Sequence, residues 1–386
     1  MRKINTAVVG TGFIGQVHIE AIRRLSGIEV KALVASSEEK AEALAKDLAV
    51  PEYYGSFDAM LEDPSIECVH ICTPNYLHYA MARDAMLAGK HVVCEKPLTL
   101  TRAQAEELVA LAHERGLVHA ICFNMRYYPL MQQMRVMIRN GDMGDIYSIN
   151  GSYFQDWLIY ESDYNWRVDS AKSGSSRAVA DIGSHWMDLA ETVSGLSITE
   201  VMADFATFLP SRRKPVQTQE TFAGKLNPNH AEEVEYETIP IDTEDYANVM
   251  FRFENGARGS LTVSQVHAGR KNKLMLEIAG SEQAASWSSE RPNELWLGRR
   301  DSSNSLQMKD PSLVYPESSK FMDYPGGHTE GYPDTFKQLF KEVYDAIAAE
   351  ERSNAPAYPT FESGLREQVL CDKIIESHES KKWVNV

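Results

Sequence analysis

Ile4-Asn5-Thr6-Ala7-Val8-Val9-Gly10-Thr11-Gly12-Phe13-Ile14-Gly15 is the stretch that decides the fold class. Ile4 to Val9 is a short apolar, partly β-branched run, the composition of a strand covered on both faces. The glycines at 10, 12 and 15 fit G-x-G-x-x-G, and apolar residues at Ile19, Ala21, Ile22 and Leu25 then follow with helical spacing. Strand, tight turn and helix in that order make a phosphate-binding βα unit. Gly10 permits the turn, Gly12 lets a pyrophosphate approach the backbone, and Gly15 allows close helix packing. Phe13 and Ile14, the first residues of the helix, join the glycines as candidate dinucleotide contacts.

Outward from this unit the alternation continues. Strands are expected at Val30 to Ala35, Cys68 to Cys72, up to Cys94, and at Val118 to Phe123. Helices are expected at Glu38 to Leu48, Tyr76 to Ala88 and Ala103 to Arg115. Such alternation implies an α/β domain, a doubly wound parallel sheet over residues 1–123. The pattern then changes. After a helix from Pro129 to Asn140, a strand at Ile146 to Phe154 and a helix after Asp181, long strands follow near 198–209, 245–254, 257–267, 273–280 and 283–298. This predicts a second domain over 124–386, of α+β type, with a large, mainly antiparallel open sheet. The polar segment 210–242 reads as a protruding loop or hairpin, basic at Arg212, Arg213 and Lys214 and acidic at Glu232, Glu233, Glu235 and Glu237. Helices near 333–350 and 360–380 close the chain and could pack back on the first domain.

A chain of 386 residues exceeds what one core usually organises. Its 39 basic and 55 acidic residues give a net charge of −16, which argues against nucleic acid or an anionic membrane as the partner and favours a small molecule. No apolar run approaches the roughly 18 residues of a membrane span, and the N-terminus lacks a signal pattern, so the expected location is cytoplasmic. Cys68, Cys72, Cys94 and Cys122 lie in or beside apolar runs and are expected to be buried free thiols.

Chemistry-bearing residues fall at the carboxyl ends of the expected parallel strands, where open α/β sheets bind ligands. Thr73-Pro74-Asn75, with His78 three residues on, follows one strand and could line a nicotinamide ribose. Glu95-Lys96-Pro97 follows the next and puts an amine beside the nucleotide. At the end of the second strand no carboxylate stands; Ser36, Ser37 and Lys40 could contact an adenosine ribose or receive its 2′-phosphate, so NAD and NADP are both open. Asp181 and His185, four apart, would share one helical face, with His185 suited to accept a proton from an alcohol. Asn124, Arg126, Tyr127, Tyr153, Trp157, Trp166 and Arg167 are candidates to border a substrate pocket, and His328 lies in a glycine-containing loop that could reach it. No ligand spacing accompanies these residues, and no metal is expected.

The ordered set GTGFIG, TPNYLH (73–78), EKP (95–97), FNMRYYP (123–129), DIGSHWMDLA (181–190) and a C-terminal APAYPTFESGLREQV resembles the Gfo/Idh/MocA oxidoreductases, the glucose–fructose oxidoreductase and inositol dehydrogenase family. The resemblance spans nearly the whole chain. It implies a Rossmann domain followed by an open-sheet domain through which homodimers or homotetramers form, an expectation that an exposed apolar sheet face would reinforce. It also implies NAD(P)-dependent hydride transfer at a secondary hydroxyl of a sugar, glycoside or cyclitol. Lys96 matches the family's active-site lysine, Asp181 and His185 match its aspartate and histidine, and Lys96-Pro97 matches a bond that is often cis. Two other functions are alternatives: glycoside cleavage by transient oxidation and elimination, and a non-catalytic sugar or dinucleotide sensor, which predicts missing catalytic side chains that this chain carries.

Overall fold

The computed structural model describes residues 3–216, 235–349 and 356–386. They form two compact units, one of 1–136 with 308–369 and one of 137–307 with 370–386.

The first unit begins with the strand and helix of the glycine motif, β1 (Ile4–Val9) and α1 (Phe13–Arg23). It continues through β2 (Ile28–Val34), α2 (Glu38–Asp47), β3 (Glu52–Tyr54), α3 (Phe57–Leu61), β4 (Cys68–Ile71), α4 (Asn75–Leu87), β5 (His91–Cys94), α5 (Arg102–Arg115), β6 (His119–Ile121) and α6 (Pro129–Arg139). The strands form one parallel sheet in the order β3-β2-β1-β4-β5-β6. Strand order reverses between β1 and β4, which sets a crevice at their carboxyl ends. Both sheet faces are covered, which is why β4 is buried at every position. On one face Val8, Ile19 and Ile22 pack with Phe336 and Phe340; on the other Ala7, Val69, Met86 and Leu108 pack together. The short β3 and α3 have too few apolar residues to stand out in sequence.

The second unit is built on β7 (Ile146–Phe154), the four-residue α7 (Ser170–Ser173), α8 (Ser184–Ser194), β8 (Ile198–Ala206), β9 (Ser211–Pro215), β10 (Tyr236–Pro240), β11 (Tyr246–Phe253), β12 (Arg258–Ser264), β13 (Lys273–Gly280), β14 (Ala284–Ser288), β15 (Glu294–Gly298) and β16 (Ser305–Met308). The chain returns to the first unit through α9 (Pro316–Ser319) and α10 (Tyr332–Ala348), then runs through α11 (Phe361–Ser380) to β17 (Val384–Asn385). Nine strands make one sheet, β16-β15-β14-β13-β7-β12-β11-β8-β17. It is mainly antiparallel, but β7 and β12 pair in parallel, and the expected strand 283–298 is two strands, β14 and β15.

Register explains how this sheet holds its helix. Val249, Leu261, Gly151, Leu276, Trp287 and Leu295 are neighbours across six strands and form an apolar row. Trp186 of α8 lies on this face, stacked on Phe251 and donating from Nε1 to the Met275 carbonyl at 2.9 Å. Gly151 makes room for it: a Cβ there would stand 2.2 Å from the Trp186 Nε1. The opposite row, Met250, Ser260, Asn150, Glu277, Ser286 and Trp296, is mixed, and Ser260 donates to Asn150 across it. This row is thus not continuously apolar, and it does not by itself call for a covering subunit.

Within 210–242, β9 and β10 pair antiparallel as the two strands of a hairpin. Glu232 and Glu233 lie outside the described residues. All five cysteines are free and buried. Among the described residues no helix is long and apolar enough to cross a membrane.

Candidate active site

In the first unit the glycine loop and the β4 turn touch. Gly10 has φ +91°, and a Cβ there would stand 2.6 Å from the Cys72 carbonyl. Gly12 caps α1 without a side-chain hydrogen bond, and a Cβ on it would meet no protein atom within 4 Å. The N-terminal amides of an eleven-residue helix thus face open space lined by backbone, which fits the pyrophosphate of a dinucleotide. Phe13 is exposed beside it and Ile14 half-buried. At the end of β2, Ser36 is exposed with the Lys40 Nζ 3.5 Å from its hydroxyl. Ser37 instead caps α2, accepting from the Lys40 amide, so its hydroxyl serves the helix.

Pro74 occupies the N-cap position of α4 and Asn75 its first turn, while Thr73 lies at the carboxyl end of β4. His78, expected as a cofactor contact, is fully buried and joins two loops: Nδ1 lies 2.7 Å from the Pro97 carbonyl and Nε2 2.8 Å from that of Thr73. Carbonyls only accept, and a neutral ring donates to one of them; burial, the largest influence, lowers its pKa, so one contact is a hydrogen bond at neutral pH. His78 therefore holds the turn rather than the ligand. Lys96 is half-buried at the end of β5, and the Lys96-Pro97 bond is cis.

Glu95 belongs to a buried polar chain that sequence reading missed. Its Oε2 accepts from the Lys96 amide at 3.2 Å, and its Oε1 lies 3.1 Å from His18 Nε2. His18 Nδ1 lies 3.0 Å from His70 Nδ1, and His70 Nε2 2.8 Å from the Tyr344 hydroxyl. With Glu95 ionised and both imidazoles neutral, one hydrogen pattern serves all four groups: Tyr344 donates to His70, His70 to His18, and His18 to the carboxylate. Burial keeps the His70 pKa well below its ordinary value and that of Tyr344 well above, so both are neutral in this pattern. His18, Glu95 and Cys122 also bring their donor atoms within 4.8 Å of one another. Burial pushes the Cys122 thiol well up.

Past β6, Asn124 is buried and donates to the Thr335 hydroxyl at 2.7 Å, and Tyr127 donates to Glu342 at 2.7 Å. Neither presents itself to a ligand, contrary to expectation. Arg126 is half-buried and donates to Ser363 at 3.1 Å. His328 is exposed in its loop.

In the second unit Asp181 sits in a π-helical turn, Val179–Gly183, that runs into α8, and His185 follows in the first turn of α8. Such turns recur at functional sites because they rotate side chains out of the regular helical row. Asp181 Oδ2 accepts from Gln265 Nε2 at 2.8 Å, and Oδ1 lies 3.4 Å from Arg167 Nε. Arg167 stacks on Trp166 at 4.4 Å and reaches Asn165 at 3.3 Å, so the two residues expected at the pocket form one assembly with Asp181. His185 is 7% exposed, with the Tyr153 ring 6.4 Å away. Tyr153 is buried and donates to Asn272 at 2.8 Å; Gln155 donates to the same oxygen and accepts from Trp157 Nε1. Gln265 and Asn272 were not singled out from the sequence. Each is a polar side chain at a strand end, the one signal that marks them.

Residues 4–123 match the oxidoreductase family with an NAD-binding Rossmann fold, Gfo/Idh/MocA, and residues 131–286 match the Gfo/Idh/MocA C-terminal domain. The chain is 29% identical to a levoglucosan dehydrogenase of Pseudarthrobacter phenanthrenivorans, over 100% of this chain and 99% of the relative. A levoglucosan dehydrogenase solved in complex with NADH and levoglucosan superposes with a TM-score of 0.87 at 26% identity, covering 100% of both chains. An oxidoreductase from Sinorhizobium meliloti superposes with a TM-score of 0.82 at 31% identity, also over 100% of both.

Proposed function

Because the chain belongs to the Gfo/Idh/MocA family of NAD-binding oxidoreductases, we propose that it oxidises a secondary hydroxyl of a monosaccharide or anhydrosugar, with NAD as hydride acceptor. The observation that carries this reading is the Asp181 turn: a carboxylate held by Gln265 and Arg167, four residues before His185 on the same helical path. A carboxylate fixed in this way accepts a hydrogen bond from a sugar hydroxyl. Trp166, already flattened by Arg167, offers an apolar face of the kind on which sugar rings lie.

In the proposed reaction His185 takes the proton of the reacting hydroxyl as its carbon loses hydride and the C–O bond becomes C=O. The Lys96 ammonium donates to the same oxygen and steadies its developing negative charge. Asp181 holds an adjacent hydroxyl and so fixes which carbon reacts. NAD, bound at Gly10, Gly12 and the start of α1, supplies the hydride acceptor. Relatives solved with NADH support NAD. Ser36 and Lys40 are the groups that would receive a 2′-phosphate, and titrating NADH and NADPH by fluorescence tests the choice. The same reading takes the protein as a homodimer or homotetramer associating through the nine-stranded sheet, which sedimentation would test.

The function is tested by NAD reduction with levoglucosan, D-glucose, D-xylose and myo-inositol. Lys96→Met should leave NADH affinity within about threefold and reduce kcat by about 10²- to 10³-fold, because the lost interaction forms fully only in the transition state. Turnover like that of the unmodified protein would remove Lys96 from the chemistry.

A further inference from the structure

Asp181 stands at one end of a buried chain of polar groups whose other end lies in the β9–β10 hairpin. Gln265 is fully buried, and its amide faces two groups of opposite demand. Nε2 donates to Asp181, and Oε1 lies 3.4 Å from Arg177 Nη1. An arginine only donates and a carboxylate only accepts, so reversing the amide would create two repulsive contacts. Arg177 cannot turn away, because its side chain is 0% exposed. It is paired through Nη2 with Asp245, and its Nε donates to Thr243 at 3.2 Å. Asp245 Oδ1 is shared with Arg212 Nη2 at 3.0 Å, and Arg212 Nη1 donates to the carbonyls of Tyr160 and Asp163. The Gln265 backbone is tied to the same group, its amide donating to the Asp245 carbonyl at 3.0 Å.

We propose that Gln265 is a positioning residue for Asp181, kept in one amide orientation by the buried Arg212–Asp245–Arg177 network, so that Asp181 is presented to substrate solely as a hydrogen-bond acceptor. This rests on the reading of Asp181 as a substrate ligand. It assigns the hairpin a purpose: Arg212 braces both this network and the backbone just before Trp166 and Arg167. The sugar must then bring a hydroxyl, not a carbonyl or ether oxygen, to Asp181. A substrate lacking that hydroxyl leaves a held carboxylate unpaired and is rejected.

Gln265→Leu and Gln265→Glu, with Asp181→Asn beside them, separate the possibilities. Gln265→Glu puts a second carboxylate where the 2.8 Å hydrogen bond was. The pair then shares a proton, facing Arg167 and Arg177 as the neighbouring cations and His185 along the helix. In levoglucosan oxidation Gln265→Leu should lose about tenfold in kcat/KM, and the acid limb of the Gln265→Glu profile should move up by about one pH unit or more, with NADH affinity unchanged in both. A second readout needs no turnover. All six tryptophans lie in the second unit, so their fluorescence follows its melting. The Tm deficit of Gln265→Glu should narrow by about 3 °C between pH 8 and pH 5, as the shared proton binds, while that of Gln265→Leu should not change. A Gln265→Glu deficit that is the same at both pH values overturns the proposal. Full activity in Asp181→Asn overturns the substrate-ligand reading instead, and leaves the melting result to report on the network alone.

Discussion

His70 offers a quantitative test of the first unit's architecture. It is fully buried between His18 and Tyr344, and burial, with the nearby His18 second, holds its pKa well below 6.5. A group depressed in this way is neutral in the fold but free to take a proton in the unfolded chain. Stability is thus fully present above the unfolded value and is lost as pH falls through it. With an unfolded pKa of 6.5 and no protonation in the fold, the loss is RT ln(1 + 10) at pH 5.5, or about 1.4 kcal/mol, against less than about 0.1 kcal/mol at pH 7.5. His70→Leu removes this titration and adds an offset independent of pH, because the Tyr344 hydroxyl and His18 Nδ1 lose their partner. The stability gap between the unmodified protein and His70→Leu should therefore narrow by about 1.4 kcal/mol on going from pH 7.5 to 5.5. Tryptophan fluorescence is blind to the first unit, so the measurement is urea unfolding by far-UV circular dichroism, with amide exchange in β1 and β4 as the local probe. Two stability curves that run parallel over this range would refute a neutral, buried His70.

Gly10→Ala forces a residue with a Cβ into φ +91° and against the Cys72 carbonyl; it should cost about 2 kcal/mol or more and abolish NADH binding measured by fluorescence. Ser36→Asp places a carboxylate at the exposed end of β2, beside Lys40, and should shift the ratio of NADPH to NADH affinity by about tenfold or more against NADPH, read by the same titration.

The strand, turn and helix of the glycine motif were legible because each depends on a few adjacent residues; the π turn Val179–Gly183, which departs from the regular helix assumed for Asp181 and His185, was not. The parallel pairing of β7 with β12 was not, since the strands lie about a hundred residues apart and alternation alone does not give direction. The break between β14 and β15 was passed over when 283–298 was read as one strand, although the polar run Ser289 to Asn293, with Pro292 in it, marks a turn. His18 was not singled out in the sequence; its meaning comes from β4 lying beside β1, from Glu95 at the end of β5, and from Tyr344, far along the chain. Arg167 stood among the sequence's candidates, but its pairing with Asp181 depends on how the loop before α7 returns to the π turn. Asn124 stood in a suggestive place with an ordinary polar group, and only its buried partner Thr335 shows that its amide is used inside the fold.

The enclosure of Val8 and Ile22 by Phe336 and Phe340 has a bearing on biosynthesis. A ribosome releases β1 through β6 early, but the aromatic residues that seal one side of that sheet, and the Tyr344 hydroxyl that completes the His70 chain, emerge only after residues 137–307 have been made. The nascent sheet must wait, half-covered, while residues 137–307 are synthesised. A fragment ending before α10 would carry every glycine of the nucleotide loop and still leave that hydrophobic side bare to chaperones, proteases and other chains.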